Sequence, residues 1–237
     1  MRGVEPVSDD VLRFGHIRAK RVNIIDENGT FRLAIANKER TANPIIGGKE
    51  IVTNRRPSAG IIFFNEDGDE CGGLIFGDKW AHMSFDQYQQ DQIVAIQYRE
   101  TPLGQHSGLT VWDRPDRPVS EFLEKYLAIE AMPEGAEKEA AMALLRSEYH
   151  SPVRMYMGRE ADGSSSVVLA DSKGNKRVAI TVGPDGVPSI LMFDEKGEVV
   201  ESLVPDISYE SDCESDSSDE LEDSREVDLS CEEVQNG

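Results

Sequence analysis

The chain has 237 residues, with 45 acidic against 25 basic side chains and a net charge of −20. This is enough for one domain or two small ones. Thirteen Asp or Glu and one basic residue, Arg225, lie from Asp206 onward, so that stretch carries −12 and residues 1–205 carry −8, which leaves no positive footprint for a nucleic-acid duplex.

Residues 1–11 hold no apolar core of the about 7–15 residues that a secretory signal needs, and they read as a flexible N-terminus. No run approaches the roughly 20 apolar residues of a membrane span, so no membrane partner is expected. Cys71 lies in the body, and Cys213 and Cys231 lie near the C-terminus. An odd count without metal-ligand spacing predicts free thiols, a cytoplasmic setting, and neither a metal nor a cofactor.

Residues 12–118 predict a β-hairpin region, with strands near 17–25, 31–36, 60–64, 72–76, 93–98 and 108–112. The interval 38–58, with Pro44, Gly47, Gly48 and Pro57, reads as an excursion from the sheet. A helical insertion is expected over 119–152. Phe122, Leu123, Tyr126 and Leu127 have helical spacing, as do Ala140, Ala141, Leu144 and Leu145, and Pro133 is placed to start the second helix. Residues 153–204 continue as a meander of the same domain, with strands near 155–158, 176–182 and 188–193. Residues 205–237 are Ser/Asp/Glu-rich, cannot bury enough surface to offset about 1–2 kcal/mol per residue of ordering entropy, and predict a disordered acidic tail. In that tail Ser211, Ser215, Ser217 and Ser218 have acids downstream, as acidophilic kinase sites do, although a charge run of this kind is by default a solvating segment.

An internal repeat organises the body. Ile24-Ile25-Asp26-Glu27-Asn28-Gly29-Thr30-Phe31-Arg32-Leu33-Ala34-Ile35 aligns without gaps on the stretch from Leu169 to Ile180, and Asp26, Gly29, Arg32, Ala34 and Ile35 recur as Asp171, Gly174, Arg177, Ala179 and Ile180. Looser copies begin at Asn65 and Asp194, and Asp113 opens a broken one. An Asp or Asn that opens a turn accepts a backbone hydrogen bond two residues on. A Gly three residues on takes the left-handed conformation that other residues enter at roughly 1–2 kcal/mol. The unit is therefore a hairpin with a type I turn and a glycine bulge. Asp26 should face Thr30, and Arg32 should lie diagonally across as a clasp, with Asp171 and Arg177 repeating the geometry. Phe31, Leu33 and Ile35, or Val178 and Ile180, then make the apolar face of a half-buried strand.

Reactive constellations are sparse. The chain has no nucleophile elbow, phosphate loop, dinucleotide fingerprint or His-Glu-x-x-His zinc motif, and His16, His82, His106 and His150 are scattered. Three polar clusters stand out: Asn65, Asp67, Asp69 and Glu70; the loop from Ser84 to Gln92 with Asp86 and Asp91; and Trp112-Asp113-Arg114-Pro115-Asp116-Arg117-Pro118. Asp69, Glu70, Asp86, Asp91, Asp113 and Arg114 are the candidate ligand-binding residues, because carboxylates, amides and a guanidinium in neighbouring loops could hold a small polar molecule.

The run Val22-Asn23-Ile24-Ile25-Asp26-Glu27-Asn28-Gly29, followed by Gly60-Ile61-Ile62-Phe63-Phe64-Asn65, Gly72-Gly73-Leu74-Ile75-Phe76-Gly77, Ser84-Phe85-Asp86-Gln87-Tyr88 and Asp113-Arg114-Pro115, resembles a widespread family of uncharacterised bacterial β-rich proteins. The resemblance covers roughly residues 12–118. It implies no activity and transfers no catalytic residue.

The expectation is a mainly β protein of repeated antiparallel hairpins, in a meander, sandwich or barrel, with a small two-helix insertion and a disordered acidic tail. Function is expected to be non-enzymatic, binding or scaffolding toward an unidentified protein or a small polar ligand. The alternative is a hydrolase or lyase with a polar loop site around residues 69–117. The sequence sets no oligomeric state.

Overall fold

The computed structural model describes residues 14–51 and 58–205. The flexible N-terminus expected over 1–11 and, beyond Pro205, the acidic tail with its serines and two cysteines lie outside the described residues.

The hairpins make one sheet. Its strands are β1 (Arg21–Ile25), β2 (Phe31–Ala36), β5 (Ala59–Phe64), β6 (Glu70–Gly77), β7 (Trp80–Asp86), β8 (Gln92–Thr101), β9 (Gly104–Trp112), β10 (Val153–Arg159), β11 (Ser165–Ala170), β12 (Lys176–Val182), β13 (Pro188–Phe193) and β14 (Val199–Leu203). They pair in chain order as a twelve-stranded antiparallel meander with β1 and β14 at its edges. The expected excursion is a separate two-stranded hairpin, β3 (Ile45–Ile46) with β4 (Lys49–Glu50). The insertion is α1 (Val119–Glu130) and α2 (Ala136–Glu148). Of the three closures left open by the sequence, the open meander is the one found.

The repeated turns form as their residues dictate. The Asp26 amide donates to the Thr30 carbonyl and the Gly29 amide to the Asp26 carbonyl, each at 2.9 Å, with Gly29 at φ 86°. Asp171, Asn175 and Gly174 repeat this, with Gly174 at φ 85°. The Asp113 amide donates to the Pro152 carbonyl at 3.0 Å in the same way, so the whole helical insertion occupies the place of a hairpin's turn residues. The register shifts fall at Ile24/Ile25, Phe63/Phe64, Phe85/Asp86, Val153/Met155, Leu169/Ala170 and Met192/Phe193, all at the sheet end that carries these turns. Across its middle the register runs straight.

Four sequence expectations need correction. Residues 84–92 were expected as a loop before a strand, but Ser84, Phe85 and Asp86 belong to β7, which sequence reading missed because His82, Ser84 and Asp86 put polar side chains on the face that holds its buried position. β1 begins at Arg21 rather than at 17. Pro133 does not start α2, which begins three residues later after Gly135, a residue whose φ of 153° ends the connection. The apolar face of β2 was expected to combine Phe31, Leu33 and Ile35 as its buried side. The bulge at Ile24/Ile25 turns Phe31 to the other face, where it packs on Ala34, Ile62 and Phe64 with Ala42, Ile45 and Ile75. Burial there is deep, with Ala34 1% exposed, while Ile35 is 45% exposed. The same inversion holds in β12, where Ala179 is buried and Ile180 is exposed.

Candidate functional site

Directly paired residues in a sheet share a face, so the register sorts the molecule into two surfaces. On the first, Ala34, Ile62, Gly73, Ser84, Ala95 and Thr110 form a buried row. Glu70 pairs with Phe64 and Asp86 with Gln92 beyond their bulges, which puts both carboxylates on this same face. They line a cavity of about 320 Å³ with Ser84, Gln90, Asp91 and Gln92, closed by Pro44 and Ile46 of the excursion and by Val119 at the start of α1. The first amide of α1, Val119, donates to the Gln89 carbonyl at 2.8 Å and holds the helix start at this edge. Gln90 donates to the Pro115 carbonyl at 3.2 Å and also to the Arg117 carbonyl. Burial first, then the charges of Asp86 and Glu70, push the Cys71 thiol up.

Of the six candidate ligand-binding residues, the fold brings Glu70, Asp86 and Asp91 to this cavity. Arg114 touches it through Asp91, at 3.6 Å, and through the Gln92 carbonyl, to which its Nε donates at 2.7 Å, with its guanidinium 5.6 Å from the Trp112 ring centroid. Asp69 turns elsewhere: it is buried, and its carboxylate accepts the Gly48 amide at 2.8 Å, tying the excursion to the β5–β6 turn. Asp113 pairs with Arg154. Pro44, Ile46 and Val119 are lining residues that sequence reading missed, because nothing local marks two distant loops as neighbours.

Asp26–Arg32 and Asp171–Arg177 form as expected, the latter at 3.7 Å. Each arginine also reaches the next hairpin: Arg32 donates to the Asn65 carbonyl, and Arg177 donates to the Phe193 carbonyl at 3.0 Å. Arg154 does likewise, binding Asp113 and donating to the Ala170 carbonyl at 3.1 Å. The clasp is therefore a threefold device joining successive hairpins, and Asp113 belongs to it rather than to the cavity.

His82 and His106 line a different cavity of about 490 Å³, with Trp80, Gln97 and Arg99, which shares only Gln92 with the first. His106 Nδ1 lies 3.2 Å from Glu160, and its ring stacks on Tyr156.

The second surface is apolar. Val22, Ile35, Ile61, Leu74, Met83 and Ile96 pair in one row across β1, β2 and β5–β8. The row continues through Leu109, Met157, Val167, Ile180, Ile190 and Leu203 on β9–β14. It crosses all twelve strands without a polar residue, and none of its members is buried. The adjoining row runs from Ile24, Leu33 and Phe63 through Gly72, Phe85, Val94, Val111, Met155, Leu169, Val178 and Met192 to Glu201, its one charge. Phe85 is 51% and Ile96 49% exposed. A continuous apolar surface across twelve strands is larger than the few hundred Å² of apolar patch that a lone chain ordinarily presents to water.

No protein-family model matches the chain, and no curated protein matches it as a relative. No helix among the described residues is long and apolar enough to cross a membrane.

Proposed function

We propose that this chain is a non-enzymatic binding or scaffolding protein of the cytoplasm whose working surface is the apolar face of its sheet. The observation that carries the reading is the twelve-residue row from Val22 to Leu203, uninterrupted by any polar side chain and nowhere buried. Exposed apolar rows of this extent mark interaction surfaces, because leaving them in water forgoes roughly 25 cal/mol per Å². The opposite face supports this reading, since His82 and His106 line one cavity and the carboxylates Glu70, Asp86 and Asp91 line another. The odd cysteine count supports the cytoplasmic setting. The resemblance of residues 12–118 to bacterial β-rich proteins adds no activity.

Carbene footprinting of the full chain tests the reading, comparing a highly diluted sample with cell extract. Labelling at Ile96, Met157 and Ile180 should fall in extract, while labelling at Gln97 and Thr181 on the opposite face stays constant. Equal labelling of the row in both samples would remove the apolar face as the working surface.

The cavity at Glu70, Asp86 and Asp91 favours a second reading, in which it takes a small polar molecule rich in hydrogen-bond donors, the complement of its carboxylates. A rise in thermal stability with polyamines or amino sugars, abolished in Asp86→Asn, would support it.

A further inference from the structure

We propose that the apolar face is closed by a second copy of this chain, the two sheets stacking face to face about a two-fold axis. This rests on the reading that the apolar face is the working surface, and it names the partner.

The size fits. Twelve strands about 4.8 Å apart, sharing about 17 Å of strand length, make a face of roughly 900 Å². A stable interface covers about 800 Å² on each partner. The periodicity fits as well. The register of the two apolar rows runs unshifted between the terminal bulges, so the face is a set of parallel ridges at strand spacing. A surface that interdigitates with such ridges must carry the same spacing, and another copy of the sheet does so by construction; sheets packed this way lie about 10 Å apart. A stacked layer also suits the sheet itself, because open sheets rarely exceed about ten strands alone, whereas stacking supports broader and flatter ones.

Charge separates this occupant from the others. The chain's own C-terminal stretch from Asp206 has 13 carboxylates and one arginine, a poor cover for a surface of Val, Ile, Leu and Met. An anionic lipid surface would find no Lys or Arg on either row to meet its headgroups. Two copies meeting on this face bring together rows whose one charged member, Glu201, stands on the edge strand β14, where water still reaches it. A two-fold contact is self-complementary and closes, so the pair presents no further apolar face for growth.

Sedimentation and site-directed cross-linking of the full chain test the proposal. Sedimentation should give twice the chain mass, and Ile96→Lys with Ile180→Lys should give a single chain with unchanged β circular dichroism. Because two lysines could impair folding, a milder pair decides the geometry. In a background with Cys71→Ala, Cys213→Ser and Cys231→Ser, Ile96→Cys should form a covalent dimer with a short bismaleimide, whereas Gln97→Cys, the next residue on the opposite face, should not. Equal cross-linking at both positions, a three-chain or open-ended assembly, or a single-chain wild type at every concentration would overturn the proposal. A single chain whose row is protected only in extract would overturn the second copy while leaving the working surface intact. A row labelled equally in dilution and in extract would overturn both.

Discussion

Each arginine of the clasp does two jobs whose energies differ. The ion pairs Asp26–Arg32, Asp113–Arg154 and Asp171–Arg177 are partly exposed, and pairs of that kind contribute about 0–1 kcal/mol each. The carbonyls they also bind, at Asn65, Ala170 and Phe193, belong to the following hairpin, so the arginine fixes the spacing between two turns. Asp171 shows the electrostatic consequence. Its partial burial opposes ionisation, but the Asn175 side chain, the amides of Lys173 and Asn175 and the Arg177 charge outweigh it and hold its carboxyl below the ordinary range. A carboxyl more acidic in the folded than in the unfolded chain contributes stability that is complete above the unfolded pKa of about 3.9 and fades as pH falls through the folded value. Asp171→Asn keeps the turn's acceptor but cannot ionise. It should lower the melting temperature at pH 7 and make the melting temperature less dependent on pH below about 4, measured by thermal unfolding across that range. An unchanged acid limb would mean that Asp171 carries no linkage. The Asp-to-Gly spacing made these turns legible in the sequence, and the Asp26–Arg32 and Asp171–Arg177 clasps followed from it. Asp113–Arg154 did not, because 41 positions separate its members and the turn between them holds two helices.

Elements inherit their position from those turns. The helical pair departs and returns at Asp113 and Pro152, which already share the hydrogen bond that closes every other repeat, so the sheet is continuous beneath it. Its internal contacts are its own: Lys125 reaches Glu148 at 2.8 Å, and Tyr149 meets Phe122 edge-on. Closing a long loop costs only slightly more than closing a short one. Replacing residues 114–151 with Glu-Asn-Gly, the turn residues of the first hairpin, should therefore leave amide-exchange protection in β9 and β10 unchanged while the cavity loses Val119. Faster exchange in those strands would show that the helices brace the sheet. The strands themselves were legible wherever apolar residues alternate, and β7 was not, because Ser84 and Asp86 take positions that alternation reserves for apolar side chains. Alternation also says that two faces differ without saying which is covered. Ala34 and Ala179, small and easily shielded by larger neighbours, are buried, whereas Ile35 and Ile180 are exposed, an assignment that needs the excursion, the bulges and the register together.

At the scale of the whole molecule, two forces oppose each other in the proposed pair. Apolar burial drives the faces together and is indifferent to salt at moderate concentration, while two chains of net charge −20 repel one another through solvent. The repulsion extends over a Debye length of about 30 Å at 0.01 M salt and about 8 Å at 0.15 M. Raising salt across that interval should therefore tighten self-association, the opposite of what an interface held by ion pairs does. The segment from Asp206 onward holds −12 of the charge and contributes little apolar area, so removing residues 206–237 leaves −8 per chain. The truncated chain should associate more tightly at low salt, and its dissociation constant should vary less with ionic strength than that of the full chain. Sedimentation equilibrium of both chains at the two salt concentrations reads this directly. A dissociation constant that rises with salt would mean that charge pairing, and not the rows from Val22 to Leu203, holds the copies together.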